Sequence, residues 1–227
     1  ELTVLRCSSD GTLDPDSIPP AVKSNTVMLV LNHGSNVCGT LLPIQEAGRI
    51  AHKHGLIFLV DTAQTAGVLP IDFQAMHIDM LAFTGHKSLY GPMGTGGLVI
   101  GERVDTERML PLKRGGTGSR SELEKQPDFL PDRYESGTSN TAGLAGLLAS
   151  LQWIMDRDPA AIRAHEQKLT RELIDDLTGT PGVTVYGTGD SIRQTATVSF
   201  NIAGMAPSEV GLRLDEEFDI LCRVGLH

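Results

Sequence analysis

Short strand-like apolar runs alternate with helix-like segments over residues 26–100, and this alternation limits the possible folds most. The run TVMLVLN at 26–32 is apolar and rich in β-branched residues, which is typical of a strand buried on both faces. A helix is predicted from Pro43 to His54, because Ile44, Ala47, Ile50 and Ala51 recur at helical spacing and Gly55 follows as a C-cap. Further strands are predicted at 56–60, 79–84 and 97–100. The pattern indicates βαβ units and a mainly parallel sheet.

The second half of the chain begins with a polar stretch that contains glycine and proline, at 105–140. A compact domain rarely carries such a loop without a function or a partner that orders it. Two helices should follow. One is predicted at 141–156, with Leu144, Leu147, Leu148, Leu151 and Met155 on its apolar side. The other is predicted at 159–177, with Ile162, Leu169, Leu173 and Leu177.

The pattern changes again after Pro181 and Gly182, to short strands within 183–187 and 196–202 and a helix near 208–217. We therefore predict a large domain at 1–155 and the start of a smaller α+β domain at 156–227. Strand-like residues at 2–5 open the chain without a methionine, and no closing element ends it. Both ends are therefore expected to be cut from a longer protein.

The overall charge argues against several classes of partner. The chain of 227 residues carries a formal net charge of -9, which disfavours binding to a nucleic-acid backbone. No apolar run reaches the ~18 residues that a membrane span needs, and no secretory signal is visible. The dispersed cysteines Cys7, Cys38 and Cys222 suit a reducing compartment. We expect a cytoplasmic protein without nucleic-acid or membrane partners and without a metal site.

Polar clusters follow the first three predicted strands, at 32–39, 61–64 and 84–87. In open α/β sheets the ligand site lies at the carboxyl ends of the strands, so these clusters should share one rim. Lys87 follows its strand beside His86, where partial desolvation would lower the pKa of the ammonium and favour a Schiff-base nucleophile. Taken alone, a solvated surface lysine is the commoner outcome. Asp61 could pair with a cationic ligand or cap the next helix.

The remaining polar residues of the rim suit an anionic ligand. Gln64 lies about one helical turn after Asp61 if a helix starts there. Thr84 and His86 offer donors to a phosphate, although a packed histidine bonded to the backbone is the plain alternative for His86. The glycines within 91–97 allow close approach of the backbone, but the loop is no P-loop because no GK[ST] closes it.

The segment VDTAQTAGVLPIDFQAMHIDMLAFTGHKSLYGPMGTGGL at 60–98 resembles the pyridoxal 5'-phosphate (PLP) core of class V aminotransferases. It is most similar to the branch of cysteine desulfurases and selenocysteine lyases. NHGSNVCGTLLPI at 32–44 and RYESGTSNTAG at 133–143 resemble further blocks of this family in the same order. The resemblance implies the type I aminotransferase fold. This is an α/β fold with a three-layer α/β/α large domain around a mostly parallel, seven-stranded sheet, followed by a smaller α+β domain.

The resemblance also implies a role for each residue of the site. Lys87 would form the Schiff base with PLP and later shuttle protons at the substrate. Asp61 would pair with the pyridine nitrogen and Gln64 would bond the ring O3′. The phosphate would be bound by Thr84 and His86, and by Thr138 of the partner subunit in a homodimer. Asn36 would sit by the substrate carboxylate and O3′.

The implied reaction removes sulfur from L-cysteine, giving L-alanine and an enzyme persulfide for a sulfur-acceptor protein. RVGLH at 223–227 resembles the run directly before the family's sulfur-accepting cysteine, a position that neither Cys38 nor Cys222 occupies. These residues alone are therefore expected not to turn over cysteine. The alternatives are a selenocysteine lyase, transaminase or β-eliminating enzyme of the same fold, and a non-catalytic scaffold.

Overall fold

A computed structural model of the protein describes residues 1–120 and 122–225. Its main sheet has four strands in the order β1 (Met28–Asn32), β2 (Ile57–Asp61), β3 (Met80–Thr84) and β4 (Gly96–Ile100). The first three strands are parallel and β4 runs antiparallel to β3, which confirms the mainly parallel sheet. The described sheet has fewer strands than the seven that the resemblance implies for the whole fold.

The helices before and within the first βαβ unit build the main core. A one-turn helix, α1 (Ile18–Ala21), is followed by α2 (Ile44–Lys53) between β1 and β2. The predicted apolar face of α2 is buried, and it packs with Phe58 and Val60 of β2. Gly55 then adopts a φ of 68°, as a C-cap glycine should. Periodicity therefore predicted this helix and its buried face correctly.

Strand β1 is not buried on both faces, contrary to the prediction. Leu29 and Leu31 pack towards the core with α2, but Met28 and Val30 on the opposite face are 39% and 56% exposed. The strand lies at the edge of the described sheet, and α2 covers only one face of it. A continuous apolar run permits burial of both faces of a strand, but each face is buried only where another element packs against it.

The predicted opening strand is also absent. Residues 2–5 have no regular secondary structure, and Leu2 and Val4 are exposed. A strand forms only when its backbone groups find a neighbouring strand, and residues 2–5 pair with none within the described part of the chain.

Two long helices follow the 105–140 stretch, which contains no helix or strand in its described residues. Helix α3 (Thr141–Asp156) has the predicted bounds but buries Leu147 and Ile154, while the rest of the predicted apolar side is exposed. Helix α4 (Pro159–Gly179) buries Arg163, Thr170 and Ile174, while Leu169 and Leu173 are exposed. Since α3 is apolar on nearly all sides, its periodicity does not select one face. Helix α4 packs next to β5 through a face that includes polar residues.

A small antiparallel pair, β5 (Val183–Tyr186) with β6 (Ser199–Ile202), and a final helix α5 (Pro207–Phe218) complete the described elements. They agree with the predicted change to an α+β pattern, while the division at 155/156 stays a prediction. The last two residues of the RVGLH run lie outside the described residues. No described helix is both long and apolar enough to span a bilayer.

Candidate functional site

The three parallel strands bring their polar ends to one rim of the sheet. Asn32 pairs in register with Asp61, Asp61 pairs with Ala82, and Thr84 lies two residues further along β3. Alternation along the strands therefore puts Asn32, Asp61 and Thr84 on the same face, opposite α2. Two residue steps along β3 and one strand spacing separate the Cα atoms of Asp61 and Thr84 by about 8 Å.

Asp61 is exposed, and it both caps a turn and keeps free acceptor capacity. Its Oδ1 accepts a hydrogen bond of 2.8 Å from the Ala63 amide, as the capping alternative predicted. The segment after it forms consecutive turns around Thr62 and Thr65, not a full helix. Oδ2 accepts no hydrogen bond from any described residue, so one carboxylate oxygen stays available to a ligand.

Gln64 lies in these turns and is half-buried against the segment that follows β1. A Cβ atom built on Gly34 would lie 3.5 Å from Cβ of Gln64 and 3.0 Å from Cγ2 of Thr65. A side chain on Gly34 would require Thr65 to move by a few tenths of an ångström, so glycine fits here without displacement. The close packing brings the loop that carries Asn36 against the turn that carries Gln64.

Thr84 and His86 contact each other directly. Thr84 Oγ1 and His86 Nδ1 are hydrogen-bonded at 2.8 Å, and the His86 ring is exposed. The alternative of a packed histidine bonded to the backbone is therefore wrong. When Nδ1 accepts from the hydroxyl, the neutral ring carries its proton on Nε2 and offers it as a donor.

Lys87 begins a tight loop and is exposed, so the anticipated desolvation of its amine is wrong for this structure. The Tyr90 amide donates to Lys87 O at 2.8 Å, and the Gly91 amide donates to Gly85 O at 2.7 Å. Tyr90 has a φ of 55°, and its ring meets the edge of Trp153 with centroids 5.5 Å apart. The loop is thus held in shape while the lysine side chain faces solvent.

Sequence reasoning missed Thr95, which shapes this loop from inside. Thr95 is buried, its Oγ1 donates to Pro92 O at 2.6 Å, and its carbonyl accepts from the Gly85 amide at 2.9 Å. A Cβ atom on Gly85 would overlap Thr95 Oγ1. Gly85, between Thr84 and His86, was the available signal, but its neighbour across the loop is visible only in three dimensions.

Asn36 lies exposed in a turn whose ends are bonded together. The Ser35 amide donates to Thr40 O at 2.9 Å, and the Gly39 amide donates to Ser35 O at 3.1 Å. Burial raises the pKa of the nearby Cys38 thiol, but hydrogen bonds from Ser35 and Thr40 outweigh this and leave that pKa lowered. Cys38 Sγ lies 3.3 Å from Thr40 Oγ1, so the thiol belongs to the framework of the turn.

Thr138 is exposed in the 105–140 stretch, where the Gly137 amide donates to Gly116 O at 2.9 Å. The structure gathers the ends of β1, β2 and β3 at one rim, whereas Thr138 belongs to none of these strand ends.

Comparison with known proteins decides the family, because the family model described as aminotransferase class V matches residues 1–227. The chain belongs to the class V aminotransferase family. The chain is 36% identical over 230 residues to a probable cysteine desulfurase of Methanothermobacter thermautotrophicus, a match that covers 100% of this chain and 56% of that protein.

Solved structures confirm the predicted α/β fold class of the chain. The apo structure of a cysteine desulfurase from Thermococcus onnurineus is similar with a TM-score of 0.84 and 33% identity, over 98% of this chain and 55% of that one. SspA in complex with cysteine is similar with a TM-score of 0.70 and 26% identity, over 99% of this chain and 56% of that one. The chain therefore spans about half the length of the relatives it matches.

Family membership implies PLP as the cofactor, and the residues at the rim fit that group. Asp61 has a carboxylate oxygen free for a ring nitrogen, and the hydrogen-bonded pair of Thr84 and His86 offers a donor for a phosphate. No carboxylate of the described chain forms a salt bridge with Lys87, so no ion pair holds its side chain. No metal-binding group of His, Cys, Asp and Glu was found in the described part of the chain.

Proposed function

We propose that the whole protein is a PLP-dependent enzyme of the cysteine desulfurase type. The observation that carries the proposal is the position of Lys87 just past the end of β3, on the rim to which β2 delivers Asp61. The similarity to a probable cysteine desulfurase at 36% identity supports cysteine as the substrate, and so does the similarity to a structure in complex with cysteine.

In this proposal the rim binds and orients the cofactor. Lys87 holds PLP covalently through its amine, Asp61 keeps the proton on the pyridine nitrogen, and Gln64 bonds the ring oxygen O3′. When bound, PLP supplies the electron sink that stabilises negative charge at the substrate Cα. Thr84 and His86 would lie at the phosphate, where their mutual hydrogen bond leaves the neutral pair one donor, the His86 Nε2 proton when the Thr84 hydroxyl donates to Nδ1. Asn36 binds the substrate carboxylate beside O3′.

The proposed reaction transfers one sulfur atom. The bond between sulfur and the substrate Cβ breaks, an acceptor thiol forms a new S–S bond, and alanine leaves with the proton that replaces sulfur. Lys87 would accept and donate the protons that move at the substrate. For residues 1–227 taken alone, the absence of cysteine turnover remains a prediction.

We also propose that the enzyme is a cytoplasmic homodimer that passes sulfur to an acceptor protein. Thr138 would reach the phosphate bound by the partner subunit, which agrees with its exposure. A contact with the partner subunit would give the long 105–140 stretch a function that orders it. The proposed large domain spans 1–155 and the smaller domain starts at 156.

The first test is Lys87→Ala, with Lys53→Ala as the matched control because Lys53 is an exposed lysine of α2. After addition of PLP, we expect the absorption band of lysine-bound cofactor in the wild type and in Lys53→Ala, but not in Lys87→Ala. Borohydride reduction followed by peptide mass analysis should put the label on the peptide that contains Lys87. Label retained by Lys87→Ala would refute the assignment.

A further inference from the structure

Arg163 is a buried cation in a place that the proposed reaction does not explain. It lies on α4 and is only 7% exposed. Burial lowers the pKa of its guanidinium, and the attraction of Glu166 on the same helix offsets this only in part. No carboxylate among the described residues lies within salt-bridge distance of Arg163. Burying a charge without a direct ion pair is costly, so the hydrogen bonds of Arg163 must matter to the fold.

Those hydrogen bonds all go to one loop. Arg163 Nη2 donates to Ser191 O at 3.1 Å, to Ile192 O at 3.3 Å and to Gln194 O at 2.8 Å. Nη1 has no partner in the described structure. A single nitrogen therefore gathers three carbonyls, which fixes the course of the loop 191–195 on the side that faces α4.

The other side of this loop is bonded to the segment that carries Asn36. The Leu41 amide donates to Arg193 O at 2.9 Å, and the Thr195 amide donates to Gly39 O at 2.8 Å. Thr40 and Gln194 form an antiparallel bridge between these two bonds. Residues 39–41 and 193–195 thus form a short two-stranded ladder. Arg163 contacts the loop that contains 193–195 from α4.

The turn that carries Asn36 continues along the chain directly into residues 39–41 of this ladder. Ser35 and Thr40 close the turn through their backbones, and the Ser199 hydroxyl donates to Val37 O within it. Space is also restricted, because a Cβ atom on Gly39 would overlap Thr197 O. The Asn36 turn, which also contacts Asp10 through Thr40 Oγ1, is therefore held on one side by loop 191–195, and that loop is held by Arg163.

We propose that Arg163 is a positioning residue that holds loop 191–195 and thereby places Asn36 at the substrate end of the site. This inference rests on the proposed function for what Asn36 binds, but the linkage itself rests on the contacts alone. Arg163 lies in the part of the chain predicted to begin the smaller domain, so it would connect the packing of that part to substrate binding.

The test compares Arg163→Met, Arg163→Lys and the control Arg171→Met in the full-length holoenzyme. Met keeps the aliphatic stem but removes the donors, while the ammonium of Lys keeps the charge and carries three N–H donors on one atom, against the two that Nη2 shares among its three acceptors. Arg171 is exposed on the same helix. Should Arg163→Met fail to fold, Arg163→Gln takes its place, since it keeps an amide donor without a buried charge.

Two readouts are compared. Hydrogen exchange at the amides of Leu41 and Thr195 should accelerate by roughly tenfold or more in Arg163→Met, and stay near wild type in Arg163→Lys and Arg171→Met. The KM for cysteine should rise roughly tenfold in Arg163→Met while kcat and the cofactor band change little, because a displaced Asn36 weakens substrate binding.

The outcomes distinguish the positioning role of Arg163 from the proposed function of the enzyme. Unchanged exchange at Leu41, or faster exchange with an unchanged KM, would overturn the positioning role and leave Arg163 a purely local support. If the wild type shows no cofactor band or no turnover of cysteine, the proposed function fails instead. In that case, exchange at Leu41 alone decides for or against the linkage from Arg163 to the Asn36 turn.

Discussion

His33 should make the stability of this protein sensitive to mild acid. The residue directly follows β1, and its backbone is fixed on both sides, by Asp61 O at 2.8 Å and by the Leu42 amide at 2.9 Å. Its side chain is 7% exposed, and Nδ1 has no partner among the described residues. Burial therefore disfavours the imidazolium form and lowers the pKa of His33 from its ordinary value of 6.5 to about 4.

The sign and size of the effect follow from that lowered pKa. Between pH 6.5 and 4 the unfolded chain binds a proton at His33 that the folded chain does not, so the folded state loses stability as the pH falls. The full contribution is present above pH 6.5, and about 3 kcal/mol of it is lost by pH 4.

Urea unfolding between pH 7.5 and 4 measures this loss through the midpoint and slope of each transition. The wild type is compared with His33→Gln, which cannot titrate, and with the control His54→Gln at the exposed end of α2. Carboxylates that titrate in the same range are common to all three proteins and cancel in the differences. Parallel profiles for wild type and His33→Gln would refute the reasoning, because His33 would then be as easily protonated folded as unfolded.

Two further substitutions test the packing that supports the site. Gly85→Ala forces a methyl group onto Thr95 Oγ1 and should lower the free energy of unfolding by about 1–3 kcal/mol, whereas Gly179→Ala, whose Cβ meets nothing within 4 Å, should change it by less than about 0.5 kcal/mol. Equal urea midpoints for these two variants would contradict the predicted overlap. Asp79→Ala removes the acceptor of the Phe58 amide at 2.8 Å and should cost about 1–3 kcal/mol, while Asp79→Asn keeps an acceptor oxygen and should cost less. If both Asp79 variants lose the same stability, the ion pair with Arg103 at 3.1 Å matters more than that amide.

Local sequence patterns were sufficient to predict the strands of the main sheet, helix α2 and the family. The strands at 28–32, 57–61, 80–84 and 96–100 and the helix α2 were predicted within a residue or two, because alternation and helical spacing are properties of neighbouring residues. The same holds for the polar residues after each strand, since the carboxyl end of a strand can be read directly from the chain. The order of these blocks along the chain was sufficient to predict the class V aminotransferase family.

Other features depend on residues distant in sequence, and only the tertiary structure decided them. The apolar run of β1 did not reveal that Val30 is exposed, because burial depends on whether another element covers that face. The apolar stripe of α3 did not reveal that Leu147 and Ile154 are the buried positions. Thr95 and Arg163 were overlooked because their importance lies in contacts with Gly85 and with loop 191–195.

The sequence by itself therefore determined the order of strands and helices, the rim that carries Asp61 and Lys87, and the family. Tertiary structure decided which faces are buried, that Lys87 is exposed and that Arg163 of α4 is bonded to loop 191–195. The physical reason is the range of the interactions. Periodicity and turn chemistry act over a few residues, whereas burial and hydrogen-bond pairing join groups as far apart as Thr40 and Gln194.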